Sequence, residues 1–215
     1  MTAIALTPSR PRAPAIFMIL APATLGALEI FHPHPHDLFY VDLTTWLIVH
    51  YAQILLFPLA ALAVTMLVRD QNGVVAMVCR VSMFTFAMTY IAFDTAAGVV
   101  TGILIKAARH AGMVGPWRPA LDAVWTHPIV GGSGASLLGV AGAIALSVGT
   151  VAAAVARRRA GASWPPVLLL GLSGFGVSVF KTHAWPGGPL TFGGIAIAVA
   201  WLLLERSSLA SADAE

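Results

Sequence analysis

Charged side chains are scarce in this chain of 215 residues: they make up only 10% of it, whereas 58% of the residues are hydrophobic. Soluble domains normally carry about 25% charged residues. So small a polar supply cannot cover the surface of a water-soluble globule. The composition therefore predicts a protein whose outer surface faces lipid.

Cysteine is almost absent as well, because Cys79 is the only one in the chain. A single thiol excludes an internal disulfide and any zinc or iron–sulfur site built from several cysteines. The basic excess is small, with 12 Lys and Arg against 9 Asp and Glu, and no basic stripe is interleaved with aromatic residues. We therefore expect no nucleic-acid partner.

Long apolar runs predict an all-α fold, a polytopic integral membrane bundle of about six transmembrane helices. The runs cover residues 14–31, 45–68, 74–106, 135–156, 166–183 and 190–205. Between the third and fourth runs, residues 119–127 are expected to form a short interfacial helix.

The same runs define the expected domain organisation. Residues 1–13 are expected to be a disordered cytoplasmic lead, residues 14–206 a single transmembrane domain, and residues 207–215 a cytoplasmic tail. The lipid bilayer is the expected environment, and a membrane partner subunit or a homo-oligomer is an open possibility for the small-residue face at Gly98 and Gly102.

The distribution of Lys and Arg predicts the orientation. With the N-terminus in the cytoplasm, eight basic side chains lie at inner ends and four at outer ends, which favours two cytoplasmic termini. All seven histidines then lie at or near the outer side: His32, His34, His36, His50, His110, His127 and His183. We expect a multi-pass protein of the cell (inner or plasma) membrane with an extracytoplasmic histidine-rich face.

Asp94 is a candidate catalytic residue because it lies deep inside the third apolar run. A carboxylate at the middle of a membrane costs about 3 kcal/mol or more, so such a residue usually faces a cavity or a partner. Proton exchange, metal binding and substrate anchoring are the functional interpretations. A packing acid that is hydrogen-bonded to a neighbouring helix is the structural alternative.

Glu29 is a second candidate catalytic residue, since it falls in the last turn of the first run. The helix dipole disfavours an acid at that position, so its presence indicates a cation, a proton or a polar partner nearby. The structural alternative is a side chain that extends to the lipid headgroups.

His50 and His183 are candidate cofactor ligands because both lie near the outer ends of apolar runs. Two histidines on different helices are typical of paired axial ligands of a b-type haem, or of nitrogen ligands of a copper or zinc ion. A histidine near a helix end is also a common interfacial hydrogen-bonding residue, and the sequence gives no distance between the two.

The segment His32-Pro33-His34-Pro35-His36-Asp37 is the densest set of potential metal ligands. Each proline forces the preceding residue towards extended geometry, so the imidazoles splay instead of sharing a helical face. Metal contact through His32, His34 and His36 is one interpretation. A rigid exposed loop and a pH-responsive loop are the alternatives.

Three functional hypotheses follow from these residues. In the first, the histidines and carboxylates bind a transition metal (Cu, Zn or Fe) or a b-type haem for redox chemistry or metal handling. In the second, Asp94 is the protonation site of a proton-coupled carrier of small solutes or ions. In the third, the chain is an accessory subunit of a membrane complex.

Overall fold

The computed structural model describes residues 12–212, so residues 1–11 and 213–215 lie outside the described part. Residues 12–212 are 78% helical and contain no β-strand. This result confirms the all-α prediction. The expected lead at residues 1–13 falls almost entirely outside the described residues.

Within residues 12–212 the chain forms nine α-helices in sequence. They are α1 (Arg12–Ile30), α2 (Leu43–Met66), α3 (Val74–Asp94), α4 (Thr101–His110), α5 (Val114–Trp125), α6 (Leu137–Arg159), α7 (Trp164–Ser173), α8 (Gly176–Phe180) and α9 (Gly187–Ala212). A π-helical segment, Thr95–Val100, joins α3 to α4 without a break.

In the described part of the chain, five helical segments are long and apolar enough to cross a membrane. They are Ala13–Ile30, Leu43–Met66, Val74–His110, Leu137–Arg159 and Gly187–Arg206. The pair α7 and α8 forms a shorter apolar segment, Trp164–Phe180. The chain is therefore a multi-pass membrane protein, as the apolar runs predicted.

The third apolar run is confirmed as unusually long. From Val74 to His110 the helix has 37 residues, because the π-helical turn after Asp94 widens the helix without ending it. At about 1.5 Å per residue this segment exceeds the hydrocarbon thickness of a bilayer. The short helix that follows begins at Val114 and not at residue 119, so Pro119 lies inside α5.

The fifth run differs most from its prediction, because the continuous helix expected over residues 166–183 is divided between α7 and α8. Glycine has low helix propensity, and Gly174 and Gly176 flank the division. Ser147 of α6 donates a 2.8 Å hydrogen bond to the Gly174 carbonyl there. Lys181 then adopts a left-handed conformation, φ 54°, which ends α8 and leaves His183 in a loop.

The loop after α1, the start of α2, the end of α4, α5 and the loop before α9 meet at one end of the bundle, which we call the histidine-rich end. The main core contains the aromatic rings of Phe57, Phe86 and Phe192. Phe57 packs edge-on against Phe86, with ring centroids 5.8 Å apart. A second, smaller core at the histidine-rich end includes Trp46 and Ile105.

The packing of α3 against α6 depends on a missing side chain at Gly142. A Cβ there would lie 2.3 Å from a ring carbon of Tyr90 and 2.6 Å from Thr89 Oγ1. We expect Gly142→Ala to lower the free energy of unfolding by about 1–3 kcal/mol through overpacking. Thermal unfolding of the detergent-purified protein measures this.

Gly193→Ala is the matched control, because a Cβ at Gly193 meets no atom within 4 Å. Alanine is the better helix former by up to about 1 kcal/mol, so this variant should be neutral or slightly more stable. Equal melting temperatures for the two variants would contradict the close approach of α3 and α6.

Candidate metal centre

Four separate parts of the chain meet at the histidine-rich end of the bundle. The last turn of α1 contributes Glu29, and the loop after it contributes His32. The first half of α2 contributes His50, the end of α3 contributes Asp94, and the loop before α9 contributes His183. The chain therefore brings these candidate residues together from positions up to 154 residues apart in sequence.

Glu29 is fully buried, with 0% of its surface exposed. Its Oε1 accepts a 2.8 Å hydrogen bond from Nε2 of Gln53, which lies on α2. Its Oε2 is also buried, and it has no hydrogen-bond partner among the described residues. A buried carboxylate oxygen without a donor is costly, so this atom requires a proton or a cation.

The first turn of α9 lies directly against Glu29. A Cβ at Gly188 would lie 2.7 Å from Cγ of Glu29 and 1.7 Å from the His183 carbonyl oxygen. Glycine at this position therefore lets the loop that carries His183 approach α1 closely.

His32 presents one ring nitrogen to the interior of the cluster. Its Nδ1 lies 3.0 Å from the Pro33 carbonyl oxygen, and a carbonyl can only accept, so Nδ1 carries the hydrogen. The neutral ring then has its lone pair on Nε2, which is buried and unpartnered within residues 12–212. Burial lowers the pKa of His32 to about 3, which keeps the ring in its neutral, metal-binding form.

Three aromatic side chains surround the ring of His183. Its ring packs against Phe57, Tyr90 and Phe93, with centroids 5.8–6.0 Å away. Its Nε2 is buried without a hydrogen-bond partner in the described part of the chain. Burial, and then the nearby His32, hold the pKa of His183 well below its usual value, so this imidazole is neutral as well.

Glu29, His32 and His183 form a group that could hold a metal ion. Each offers one ligand atom, and these three atoms all lie within 4.8 Å of one another. Ligands 2.0–2.2 Å from a tetrahedral zinc ion are about 3.4 Å apart, so side-chain adjustments of about an ångström would close the site. We call these three residues the triad.

His50 and Asp94 form a separate pair beside the triad. His50 Nε2 lies 3.8 Å from Asp94 Oδ1, and the two side chains are 3% and 1% exposed. The His50 ring contacts the His32 ring, with centroids 4.9 Å apart. His32 also lies 4.9 Å from His183, so its ring connects the pair to the triad.

Three of the candidate metal ligands lie outside the triad: His50, which faces Asp94, and two histidines of the segment at residues 32–37. The His34 ring is 5.9 Å from the His32 ring but is exposed, and His36 is exposed too. Residues 32–35 are in neither a helix nor a strand, so the three imidazoles do not share a helical face. Only His32 of this segment turns its ring into the buried cluster.

Trp46 supports the cluster, although the sequence did not indicate this role. An aromatic residue near a helix end is typical of the belt at a membrane interface. Trp46 is instead 1% exposed, and its Nε1 donates a 2.8 Å hydrogen bond to the Gly98 carbonyl. Its own carbonyl lies 2.7 Å from Nδ1 of His50. The i, i+4 spacing of Trp46 and His50 was the available signal.

Two arginines hold the loop that follows His32. Arg109 Nη2 donates 2.7 Å hydrogen bonds to the carbonyls of Phe39 and Val41. Arg118 Nη2 donates to Asp37 Oδ2 at 2.9 Å. Hydrogen bonds from the Phe39 N–H and then from Arg118 hold the pKa of the Asp37 carboxyl below its usual value. Asp37 is therefore ionised at neutral pH and keeps its ion pair with Arg118.

Comparisons with protein-family models, with curated proteins and with solved structures found no match to this chain. The function is therefore inferred from the residues and their geometry alone.

Arg109→Ala should loosen the loop at residues 39–41, because two carbonyls lose a charged donor. Hydrogen bonds to charged groups contribute about 1.5–3 kcal/mol when shielded and less when exposed, so we expect amide exchange there to accelerate about tenfold. Hydrogen–deuterium exchange with mass spectrometry measures it. Lys106→Ala is the control, because it removes a cation from an exposed site on the same helix. Equal amide exchange rates at residues 39–41 in the two variants would show that Arg109 does not hold this loop.

Proposed function

We propose that this membrane protein binds a transition-metal ion through Glu29, His32 and His183, for redox chemistry or for metal handling. One observation carries the proposal. Three ligand atoms from two distant parts of the chain, the end of α1 with the loop after it and the loop before α9, lie within 4.8 Å of one another in an apolar bundle. Glu29 Oε2, His32 Nε2 and His183 Nε2 are all buried there without a hydrogen-bond partner among the residues described.

The ligand types favour a borderline metal ion. Two imidazole nitrogens and one carboxylate oxygen suit zinc, iron(II) or copper(II), whereas calcium and magnesium prefer oxygen ligands alone. The triad includes no sulfur ligand, which disfavours copper(I). Three protein ligands leave at least one coordination position for water or a substrate, as in catalytic rather than structural sites.

Hydrogen bonds behind the ligands support this assignment. The Pro33 carbonyl fixes the tautomer of His32 and directs its Nε2 lone pair to the cluster. Gln53 holds the Glu29 carboxylate in place through its Oε1. Such contacts orient metal ligands and commonly change metal affinity by about 10–100-fold when they are removed.

A b-type haem fits the cluster less well than a single ion does. His50 and His183 would have to face each other across a porphyrin, but the His32 ring packs against both of them, with 4.9 Å between centroids. A haem would therefore have to displace His32. A single ion needs only the ligand atoms that already converge.

Orientation bears on what the site can do. The Lys and Arg distribution favours an orientation in which the histidine-rich end faces the extracytoplasmic side of a cell membrane, and we adopt this orientation in the proposal. An ion held there would exchange with the external medium or serve an external redox partner.

Proton-coupled transport through Asp94 is the second candidate function. Asp94 is 1% exposed, and neither of its carboxylate oxygens has a hydrogen-bond partner in the described part of the chain. Such a residue inside a membrane helix is typical of proton-transfer sites. In this case Asp94→Asn would abolish proton-coupled uptake in proteoliposomes and leave the metal content unchanged.

Metal content tests the first proposal. Protein purified in detergent without a histidine tag should contain zinc, iron or copper in at least a 1:1 ratio to the chain by inductively coupled plasma mass spectrometry. Glu29→Gln, His32→Asn and His183→Asn should each lower the affinity for added Zn²⁺ about 100-fold or more, because each removes one of three ligands.

His110→Asn is the matched control, since His110 is an exposed histidine outside the cluster. It should leave metal content and affinity unchanged. Metal-free wild-type protein that also fails to bind added Zn²⁺, Fe²⁺ or Cu²⁺ would refute the proposal. Equal metal content in the control and in all three triad variants would refute it as well.

A further inference from the structure

Beside the triad, His50 and Asp94 face each other without a hydrogen bond between them. His50 Nε2 and Asp94 Oδ1 are 3.8 Å apart, which is too long for a hydrogen bond. Tetrahedral ligands about 2.1 Å from a metal ion are about 3.4 Å apart, so the two atoms would need to approach by only about 0.4 Å to share an ion. We propose that His50 and Asp94 form a second metal subsite, so that the chain holds a pair of transition-metal ions. The proposal rests on the triad being a metal centre.

The tautomer of His50 directs a lone pair towards Asp94. Its Nδ1 lies 2.7 Å from the Trp46 carbonyl, so the hydrogen of the neutral ring is on Nδ1 and Nε2 is the acceptor. Asp94 offers only acceptor atoms when it is ionised. Two acceptors that face each other need a cation or a proton between them, and a backbone carbonyl behind the histidine is the usual support for a metal-binding imidazole.

Asp94 lacks the donors that a buried structural carboxylate requires. Both of its oxygens are buried, and within residues 12–212 neither has a hydrogen-bond partner. A packing acid would be expected to find a hydroxyl, an amide or a backbone N–H. The absence of these donors for both oxygens distinguishes Asp94 from such a packing acid.

The backbone around the pair is built to admit the His50 ring. The helix widens to π geometry over Thr95–Val100, immediately after Asp94. A Cβ at Gly98, within that segment, would lie 1.7 Å from His50 Cδ2, so the ring occupies space that any other residue would fill. Single π turns in α-helices occur frequently at functional sites.

The two groups of ligands are physically joined. His32 of the triad contacts the His50 ring, and Gln53, three residues after His50 on the same face of α2, donates to Glu29. The Oε1 of Gln53 is buried without a partner in the described chain and is a further oxygen ligand available to either ion. Paired metal ions in enzymes are commonly about 3.5–4 Å apart, a separation that adjoining ligand groups can provide.

Metal stoichiometry tests the second subsite. Wild-type protein is stripped with chelator, saturated with Co²⁺ and analysed for cobalt per chain, with the visible spectrum recorded. We expect two ions per wild-type chain and one per chain in Asp94→Asn and in His50→Asn. Asp122→Asn, which neutralises an exposed acid of α5 near the same end, is the control and should retain two.

Each outcome separates the second subsite from the triad. One ion in both wild type and Asp94→Asn would overturn the second subsite and leave the triad intact. Two ions retained in Asp94→Asn and His50→Asn, or both ions lost, would also overturn a separate subsite. No cobalt in the wild type would overturn the proposed function itself. Circular dichroism and gel filtration establish that each variant is folded before its metal is counted.

Discussion

The structure of the histidine-rich end depends on one constraint: several of its carboxylate oxygens and imidazole nitrogens are buried without a hydrogen-bond partner among the described residues. In an apolar bundle every carboxylate oxygen and imidazole lone pair must meet a proton, a donor or a cation. The bundle supplies one donor to Glu29, through Gln53, and none to its second oxygen from the described residues. The hydrogen bonds that do exist, to the Pro33 and Trp46 carbonyls, are made by the far side of each imidazole. The N–H groups of His32 and His50 thus orient the two imidazole rings. The atoms that face the interior of the cluster, such as His32 Nε2 and Glu29 Oε2, are left without a hydrogen-bond partner among the described residues.

Small residues make this arrangement possible. Gly98 admits the His50 ring, and Gly188 lets the His183 loop reach Glu29. Close backbone approach is how membrane helices pack without a hydrophobic driving force between them. At Gly98 and Gly188 the missing side chain also brings the candidate ligands close to one another. The same glycines therefore serve both the packing of the helices and the assembly of the candidate site.

Much of the fold was predictable from sequence, because apolar runs of about 20 residues have few alternatives in a chain with so little charge. The division between α7 and α8 was not, since glycines inside an apolar run are also tolerated in continuous membrane helices. The sequence also identified Glu29, Asp94, His50 and His183 one by one. It could not give their partners, because those depend on how helices pack in three dimensions. His50 and His183, expected as axial haem ligands or as nitrogen ligands of a copper or zinc ion, both contact the His32 ring; Asp94 lies beside the first and Glu29 beside the second.

Helix length has a consequence for the surrounding lipid. The segment Val74–His110 has 37 residues and would extend about 55 Å, whereas Trp164–Phe180 is a broken segment of only 17 and would extend about 25 Å. A bilayer has one hydrocarbon thickness, about 30 Å, and both segments belong to the same bundle. The long segment must tilt or protrude, and lipid beside the short one must thin. We therefore expect the bilayer to be thinner beside α7 and α8 than beside the rest of the bundle. In a thinner bilayer, the elastic cost of deforming the lipid beside α7 and α8 would be lower.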